Sequence, residues 1–206
     1  MNLTSNNIWF TSDTHYNHPN LVRGTTRWRN SEGEIPLKDV RDFDTLEQMN
    51  DLMIANINNS VGKNDWLIHL GDWSFGGIES VSKFRSLIKC DNIVLMLGNH
   101  DHHIQNDKTG LKKLFTHVAH YEELRVHQGK EKWNFVLCHY PIVSWNGMRK
   151  GSFMLHGHQH LKGDARFGEG RRMDVGLCGT EKTGFRPYHI TEVINTLSIR
   201  AAINHH

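Results

Sequence analysis

Five short apolar runs in this sequence each stop abruptly at polar residues of a similar kind. Ile8–Phe10 leads to Asp13-Thr14-His15, Trp66–Leu70 to Gly71-Asp72, and Ile93–Leu97 to Gly98-Asn99-His100-Asp101. Phe135–Leu137 leads to His139, and Phe153–Leu155 to Gly157-His158-Gln159-His160. Runs this short and this continuous, bounded by glycine and small polar residues, read as buried strands. Ligands gather at the carboxyl ends of strands in α/β sheets. A chain whose strands repeatedly end in carboxylate, imidazole and amide groups is therefore expected to assemble one site from distant segments.

The intervening sequence supplies helices. Leu46, Met49, Leu52, Met53, Ile57 and Val61 recur at helical spacing, with Asp44 or Thr45 as the cap and Gly62 as the stop, so Thr45 to Val61 reads as a helix. Glu79 to Ile88 reads as a second, with Val81, Phe84, Leu87 and Ile88 inward. This strand–helix alternation argues for an α/β fold, a buried sheet with helices over it. The second half changes character. Leu124 to His127 and Trp133 to Cys138 read as a hairpin, Phe153 to His156 and Arg172 to Val175 as short strands, Tyr188 to Ile190 as another, and Glu192 to Ala202 as a terminal helix. Arg23 to Asp42 is polar and aperiodic and reads as a long loop. The 206 residues suit one domain spanning 1–206.

Composition excludes several classes. Hydrophobic residues make up 37% and charged residues 22%, as in globular chains, and the net charge of +2 neither demands nor excludes a nucleic-acid partner. No apolar run approaches the roughly 20 residues of a membrane span, and Met1 to Asn7 lacks the layout of a signal peptide. Cys90, Cys138 and Cys178 are few and far apart, so a disulfide framework is not expected and a cytoplasmic setting is. Histidine stands out at 16 residues. His205 and His206 read as a tag remnant without functional weight.

The strand-end residues suit a divalent metal. Carboxylate, imidazole and amide donors without thiolate favour manganese, iron, zinc or nickel. In extended conformation Asp13 and His15 would project from one face, as would His158 and His160, so each pair can address one metal centre or two adjacent ones. Asp72, at a glycine turn, can reach two metals. A metal pair about 3.5–4 Å apart activates water and neutralises a phosphoryl group during in-line displacement. Each cluster alone has an ordinary reading: Gly-Asp is turn chemistry, and a strand-end histidine can satisfy a local hydrogen bond. Their joint occurrence, each after a strand, favours the metal site.

The blocks Asp-x-His, Gly-Asp, Gly-Asn-His-Asp, a lone His and Gly-His-x-His together resemble the calcineurin-like metallophosphoesterase superfamily, over Asp13 to His160. The stretch Phe10 to His18, and Asp174-Val175-Gly176 followed by Phe185-Arg186-Pro187, are similar to its small bacterial and phage members. The resemblance implies a four-layer α-β-β-α double sandwich of mixed sheets flanked by helices. It implies two divalent ions, manganese foremost, with Asp13, His15, Asp72 and His160 on the first and Asp72, Asn99, His139 and His158 on the second. It implies a bridging hydroxide as nucleophile, His100 as general acid, and Asp101 orienting His100 through a hydrogen bond.

Around this centre, His18, Asn20, Arg23, Arg27, Trp145 and Arg149 are candidate substrate contacts. His18 and Asn20 follow the first block closely and otherwise cap the turn at Pro19. The arginines of the long loop suit phosphate, and Trp28 and Trp145 can stack a base or pack inward. His69 reads as a core histidine and His156 as a group beneath a ligand. His102, His103, His117, His120 and His127 read as surface or strand residues. Gly-Asp is followed by Trp73-Ser74-Phe75 rather than the Asp-Arg-Gly of protein phosphatases, and Asn-His by Asp rather than Glu. That favours a phosphodiester of a nucleotide or cyclic nucleotide, a small substrate, with no membrane and no stable nucleic-acid partner. The alternatives are a phosphomonoesterase, a nuclease, or a binding module without catalysis.

Overall fold

The apolar runs are continuous because both faces of their strands are covered. Ile68, Leu70, Val94 and Met96 point to one side and enter a core shared with a second sheet. Leu67, Ile93 and Leu95 point to the other, beneath helices. The computed structural model describes residues 1–178 and 184–203; His205 and His206 lie outside them. In chain order the regular elements are β1 (Asn2–Leu3), β2 (Ile8–Thr11), α1 (Leu46–Ser60), β3 (Trp66–His69), α2 (Ile78–Leu87), β4 (Asn92–Met96), α3 (His102–Asn106) and β5 (His117–Ala119). They continue with β6 (Tyr121–Gln128), β7 (Glu131–Cys138), β8 (Phe153–His156), β9 (Arg172–Asp174), β10 (Tyr188–His189) and α4 (Ile190–Ser198).

The strands form two mixed sheets of five, ordered β10-β2-β3-β4-β5 and β1-β6-β7-β8-β9. In the first, β2 to β5 are parallel and β10 pairs antiparallel with β2. In the second, only the β6–β7 hairpin is antiparallel. The sheets pack face to face around Phe10, Phe135 and Phe153, whose neighbouring ring centroids lie 5.3 Å apart. Met53 and Ile57 of α1 and Val81 and Phe84 of α2 cover the outer face of the first sheet. Trp145 and Met148, around a helical turn at Met148–Lys150, cover Val136 and Met154 on the outer face of the second. Ile190, Val193, Ile194 and Leu197 of α4 insert into the core between the sheets. This is the expected double sandwich.

Local expectations fare unevenly. Thr45 caps α1 in a full capping box with Gln48, so the predicted start is right. Leu52, expected inward, is 40% exposed, because the buried stripe follows Met49, Met53 and Ile57. The hairpin is longer than its apolar residues suggest: Gln128 pairs with Glu131, leaving only Gly129 and Lys130 in the turn. Helix α4 begins at Ile190 rather than Glu192 and ends at Ser198 rather than Ala202. Strands β1 and β5 and helix α3 are too short to carry a periodic signal. The segment from Arg23 to Asp42 is pinned at its base, where Arg23 N–H donates to the Arg41 carbonyl at 3.0 Å and Arg41 N–H to the Leu21 carbonyl at 2.7 Å. No helix among the described residues is long and apolar enough to cross a membrane.

Phe135 is central to the inter-sheet core. Its truncation to alanine is expected to cost about 3–5 kcal/mol, whereas Leu52→Ala on the exposed face of α1 should stay within roughly 0.5 kcal/mol. Denaturant unfolding of the two variants distinguishes these positions; comparable losses would contradict the assignment of the core.

Candidate metal centre

Beyond their strands the first two blocks run side by side. Asp13 N–H donates to the Gly71 carbonyl at 2.9 Å and His15 N–H to the Asp72 carbonyl at 3.0 Å. Between them lies a neutral relay. Burial pushes the His69 imidazole down to about 3, so the ring is neutral. Its Nε2 lies 2.9 Å from the Thr14 hydroxyl, which donates to the Trp73 carbonyl at 2.6 Å. The remaining Nδ1 accepts from Gly71 N–H at 3.2 Å. His69 is thus a core histidine, as read, and it joins two blocks.

The backbone that presents the donors is not extended, which corrects the expectation for the Asp-x-His and His-x-His pairs. Asp13, His15, Asp72, His158 and His160 have φ of 54°, 46°, 57°, 72° and 53°, all left-handed. Such conformations cost of order 1–3 kcal/mol each and persist where their surroundings enforce them. Close approach is part of that enforcement. A Cβ at Gly71 (φ +100°) would stand 2.5 Å from His139 Nδ1, and one at Gly157 would collide with the carboxylate of Asp13.

These turns bring the predicted donors together. Asp13, His15 and His160 form one group, and Asp72, His139 and His158 another, each with donor atoms within 4.8 Å of one another. His15 Nε2 lies 3.1 Å from His160 Nε2, which lies 3.5 Å from Asp13 Oδ1. Asn99 Oδ1 joins the second group, 3.1 Å from His139 Nε2 and 2.9 Å from His158 Nδ1. Asp72 Oδ2 stands between the groups, 3.5 Å from both His15 Nε2 and His139 Nε2.

The donor set fits cations. His139 Nδ1 lies 2.7 Å from the Leu70 carbonyl and donates to it, which turns the Nε2 lone pair toward Asn99 Oδ1. Two acceptors face each other there, an arrangement a metal ion relieves. Asp13 is fully buried and Asp72 nearly so, and buried charge requires a partner. Burial acts to raise the Asp13 carboxyl, but the hydrogen bond and charge of His160, with His15 and His139, hold it below the usual range. His160 is raised to about 10: burial opposes this, and its contacts with Asp13 and the Cys178 thiol outweigh it. Burial drives His15 well below its ordinary value.

His100 borders both groups. Its N–H donates to Asp72 Oδ1 at 2.9 Å, its ring centroid is 5.1 Å from that of His15, and with His15 and Asp72 it makes a third cluster of donor atoms. Asp101 does not orient it, contrary to expectation. The Asp101 carboxylate accepts from three backbone N–H groups, those of Asp72 at 2.8 Å, Trp73 at 2.9 Å and Gly98 at 2.9 Å. It therefore ties the second block to the third.

The outer candidates divide. His18 is brought to the centre: its ring stacks on Phe75 with centroids 4.0 Å apart and lies 5.6 Å from His15. It occupies the position before the Pro19 turn without capping it. Asn20 stabilises a turn, accepting from Arg27 N–H at 3.0 Å, and the Arg27 side chain is exposed. Arg23 forks between Asp42 and Asp44 rather than standing open to phosphate. Trp145 is buried, its indole N–H donating to the Ser152 carbonyl at 3.2 Å, which removes it as a stacking surface. Arg149 lies in the helical turn over the second sheet, beside a cavity with Trp145 and Ile203. Neither adjoins the donors, because the loop after β7 folds back over its own sheet. His156 is buried next to the last block, its Nδ1 2.9 Å from the Gly157 carbonyl.

Sequence reasoning missed Arg41 as a site residue. It is buried, and its guanidinium donates to the carbonyls of Thr14 at 3.0 Å and Asp13 at 2.5 Å, setting a fixed positive charge beneath the first group. Nothing in its polar neighbourhood marks it. Asp174 had a signal, its place in Asp-Val-Gly. Its carboxylate is buried, accepts from Gly176 N–H at 2.7 Å, and is raised to about 7 by burial and by the charge of Asp13.

Asp101→Asn would turn amide hydrogens toward backbone N–H groups. The expected cost is roughly 1.5–3 kcal/mol of stability, with weaker metal binding, whereas His100→Asn should retain both. Chemical denaturation and calorimetric metal titration measure these; an Asp101→Asn protein unchanged in both would refute the tie.

The comparisons with known proteins give the family. A family model described as calcineurin-like phosphoesterase matches residues 7–169, a span that contains every predicted donor. The gene 66 protein of Mycobacterium phage D29 is 29% identical over 175 residues, covering 76% of this chain and 79% of the relative. An uncharacterized protein of Methanocaldococcus jannaschii is 30% identical over 155 residues, covering 74% of this chain and 69% of the relative. A protein of unknown function from Aquifex aeolicus shares the fold, with a TM-score of 0.61 at 20% identity over 92% of this chain and 98% of that one. With its blocks in order and its donors gathered at the strand ends, the chain belongs to the calcineurin-like phosphoesterase family and is a hydrolase of phosphoester bonds that works with divalent metal.

Proposed function

We propose that this enzyme cleaves phosphodiesters of the nucleotide class, with His100 protonating the leaving oxygen. Asp13, His15, Asp72 and His160 would hold one divalent ion and Asp72, Asn99, His139 and His158 a second, with Asp72 shared; manganese suits these donors. Such a pair supplies an acidified water and a positive clamp on the phosphoryl oxygens. The chain's own residues do the rest. Arg41, the Asp101 tie and the Leu70 carbonyl fix the donors. His100 can reach a phosphoryl group in front of His15, and acid help of this kind is worth typically 10²–10⁴-fold.

The position of His100 carries this reading: its backbone is anchored on Asp72 and its ring sits against that of His15. An alkoxide leaving from a diester needs the proton such a ring provides. The nucleotide preference rests on the aromatic surroundings. His18, held neutral by burial at about 4, stacks on Phe75. Trp28, 38% exposed, lines a cavity of about 280 Å³ with Arg41, Gln159 and His160 beside the donors. A flat, half-exposed wall next to a phosphoryl site suits a base. The free thiols at Cys90, Cys138 and Cys178 accord with a cytoplasmic setting.

The test is a comparison of substrates. Protein stripped of metal and reloaded with Mn²⁺ or Ni²⁺ should hydrolyse a chromogenic nucleotide diester in preference to the matching monoester. His100→Asn should lose on the order of 10²–10⁴ in kcat while still binding metal. A monoester preference would overturn the diesterase reading, and a fully active His100→Asn protein would overturn the role of His100.

A further inference from the structure

A second cavity of about 230 Å³, separate from the Trp28 cavity, is lined by His100 with Ser74, Phe75, Gly76, Gly77, Asp101 and His103. It opens at the N-terminus of the ten-residue helix α2, whose cap position is Gly77 and which has no side-chain cap. No acceptor among the described residues takes the N–H groups of Gly76, Gly77, Ile78, Glu79 or Ser80. The end of a helix with free N–H groups favours an anion. A second, independent feature marks the same place. Ser74 is 6% exposed, lines the cavity, and its hydroxyl has no hydrogen-bond partner. An orphaned hydroxyl is costly unless a ligand satisfies it. His103 adds a ring nitrogen: a Cβ at Gly77 would lie 3.9 Å from its Nε2. Glu79, the acidic residue of this first turn, lines an adjoining cavity with Tyr16, Asn17, Ser80 and Lys83, and Gly76 borders both.

We propose that this cavity binds a phosphate on the leaving group, so that the preferred substrates join the reacting phosphoryl group to a phosphorylated partner. The inference rests on the reading of His100 as the acid on the leaving side. In the step, water that has given one proton to solvent forms the new bond to phosphorus through its oxygen, and the bond to the leaving oxygen breaks. The electron pair departs with that oxygen, and His100 delivers the proton. A phosphate held by Ser74, the α2 N-terminus and His103 aligns the leaving oxygen with His100 and stabilises the departing product.

Three thymidine substrates test this: two nucleosides joined by one phosphate, the same compound with a terminal 3′-phosphate, and two nucleosides joined by pyrophosphate. Ser74→Ala combined with His103→Gln should lower kcat/KM about tenfold or more on at least one charged-leaving substrate, equivalent to about 1.4 kcal/mol. It should change the uncharged-leaving one by less than about twofold. Loss on the pyrophosphate alone locates the bound phosphate at the leaving oxygen; loss on the 3′-phosphate alone locates it one nucleoside away. Independently of turnover, methyl phosphate added to metal-free protein should move the amide resonances of Ser74 and Gly76 to Ser80, and less so in the double variant. If wild-type protein cleaves none of the three, the diesterase reading fails and the amide shifts alone decide the subsite. Equal losses on all substrates, or unmoved amides, overturn the proposal.

Discussion

Buried negative charge is the constraint around which this molecule is organised. Asp13, Asp72, Asp101 and Asp174 all lie beneath the surface at the ends of two sheets, and each is compensated differently. Asp101 is held by geometry, with three backbone N–H groups on one carboxylate, although burial still raises it to about 6. Asp174 is raised to about 7 and accepts from Gly176 and Leu161. Asp13 and Asp72 each accept from one backbone N–H, of His158 and His100, and otherwise face imidazoles. Burying such charges unpaired would cost more than a domain's net stability allows, so the site draws positive charge from Arg41 below, from His160 beside Asp13, and from the divalent metal with which the family works.

The same constraint explains the backbone. Five donors adopt left-handed φ values that non-glycine residues avoid. The strain is held in place by hydrogen bonds between blocks, from Asp13 to Gly71, His15 to Asp72, and His158 to the carboxylate of Asp13. Glycine at 71, 98 and 157 lets backbone and ligand approach at distances a Cβ would forbid. The double sandwich supplies what strained loops lack, two sheets locked by Phe10, Phe135 and Phe153 and closed by α4.

Much of this was legible in the sequence, and the reasons are local. Apolar runs ending in donors announced the strands, and α1 carried its own cap at Thr45. The donors were readable because metal coordination draws on few side-chain types. The surroundings were less readable. Arg41 sits in a polar segment that resembles a solvated loop, and its burial depends on carbonyls 27 and 28 positions away. Trp145 as a stacking lip and Asp101 as the partner of His100 were reasonable by proximity in the chain and wrong in space.

The sequence by itself determined the longer strands, the candidate metal donors and the family, because strand propensity, burial and metal chemistry each act through residue type and short spacing. Only the tertiary structure decided which carboxylate ties backbone segments together and which faces histidine, that the candidate donors rest on left-handed turns rather than extended strands, and that His100 lines a cavity separate from that of Trp28. Those outcomes depend on contacts between segments that lie far apart in the chain, such as Asp13 with His158, 145 positions apart. No local pattern encodes such contacts.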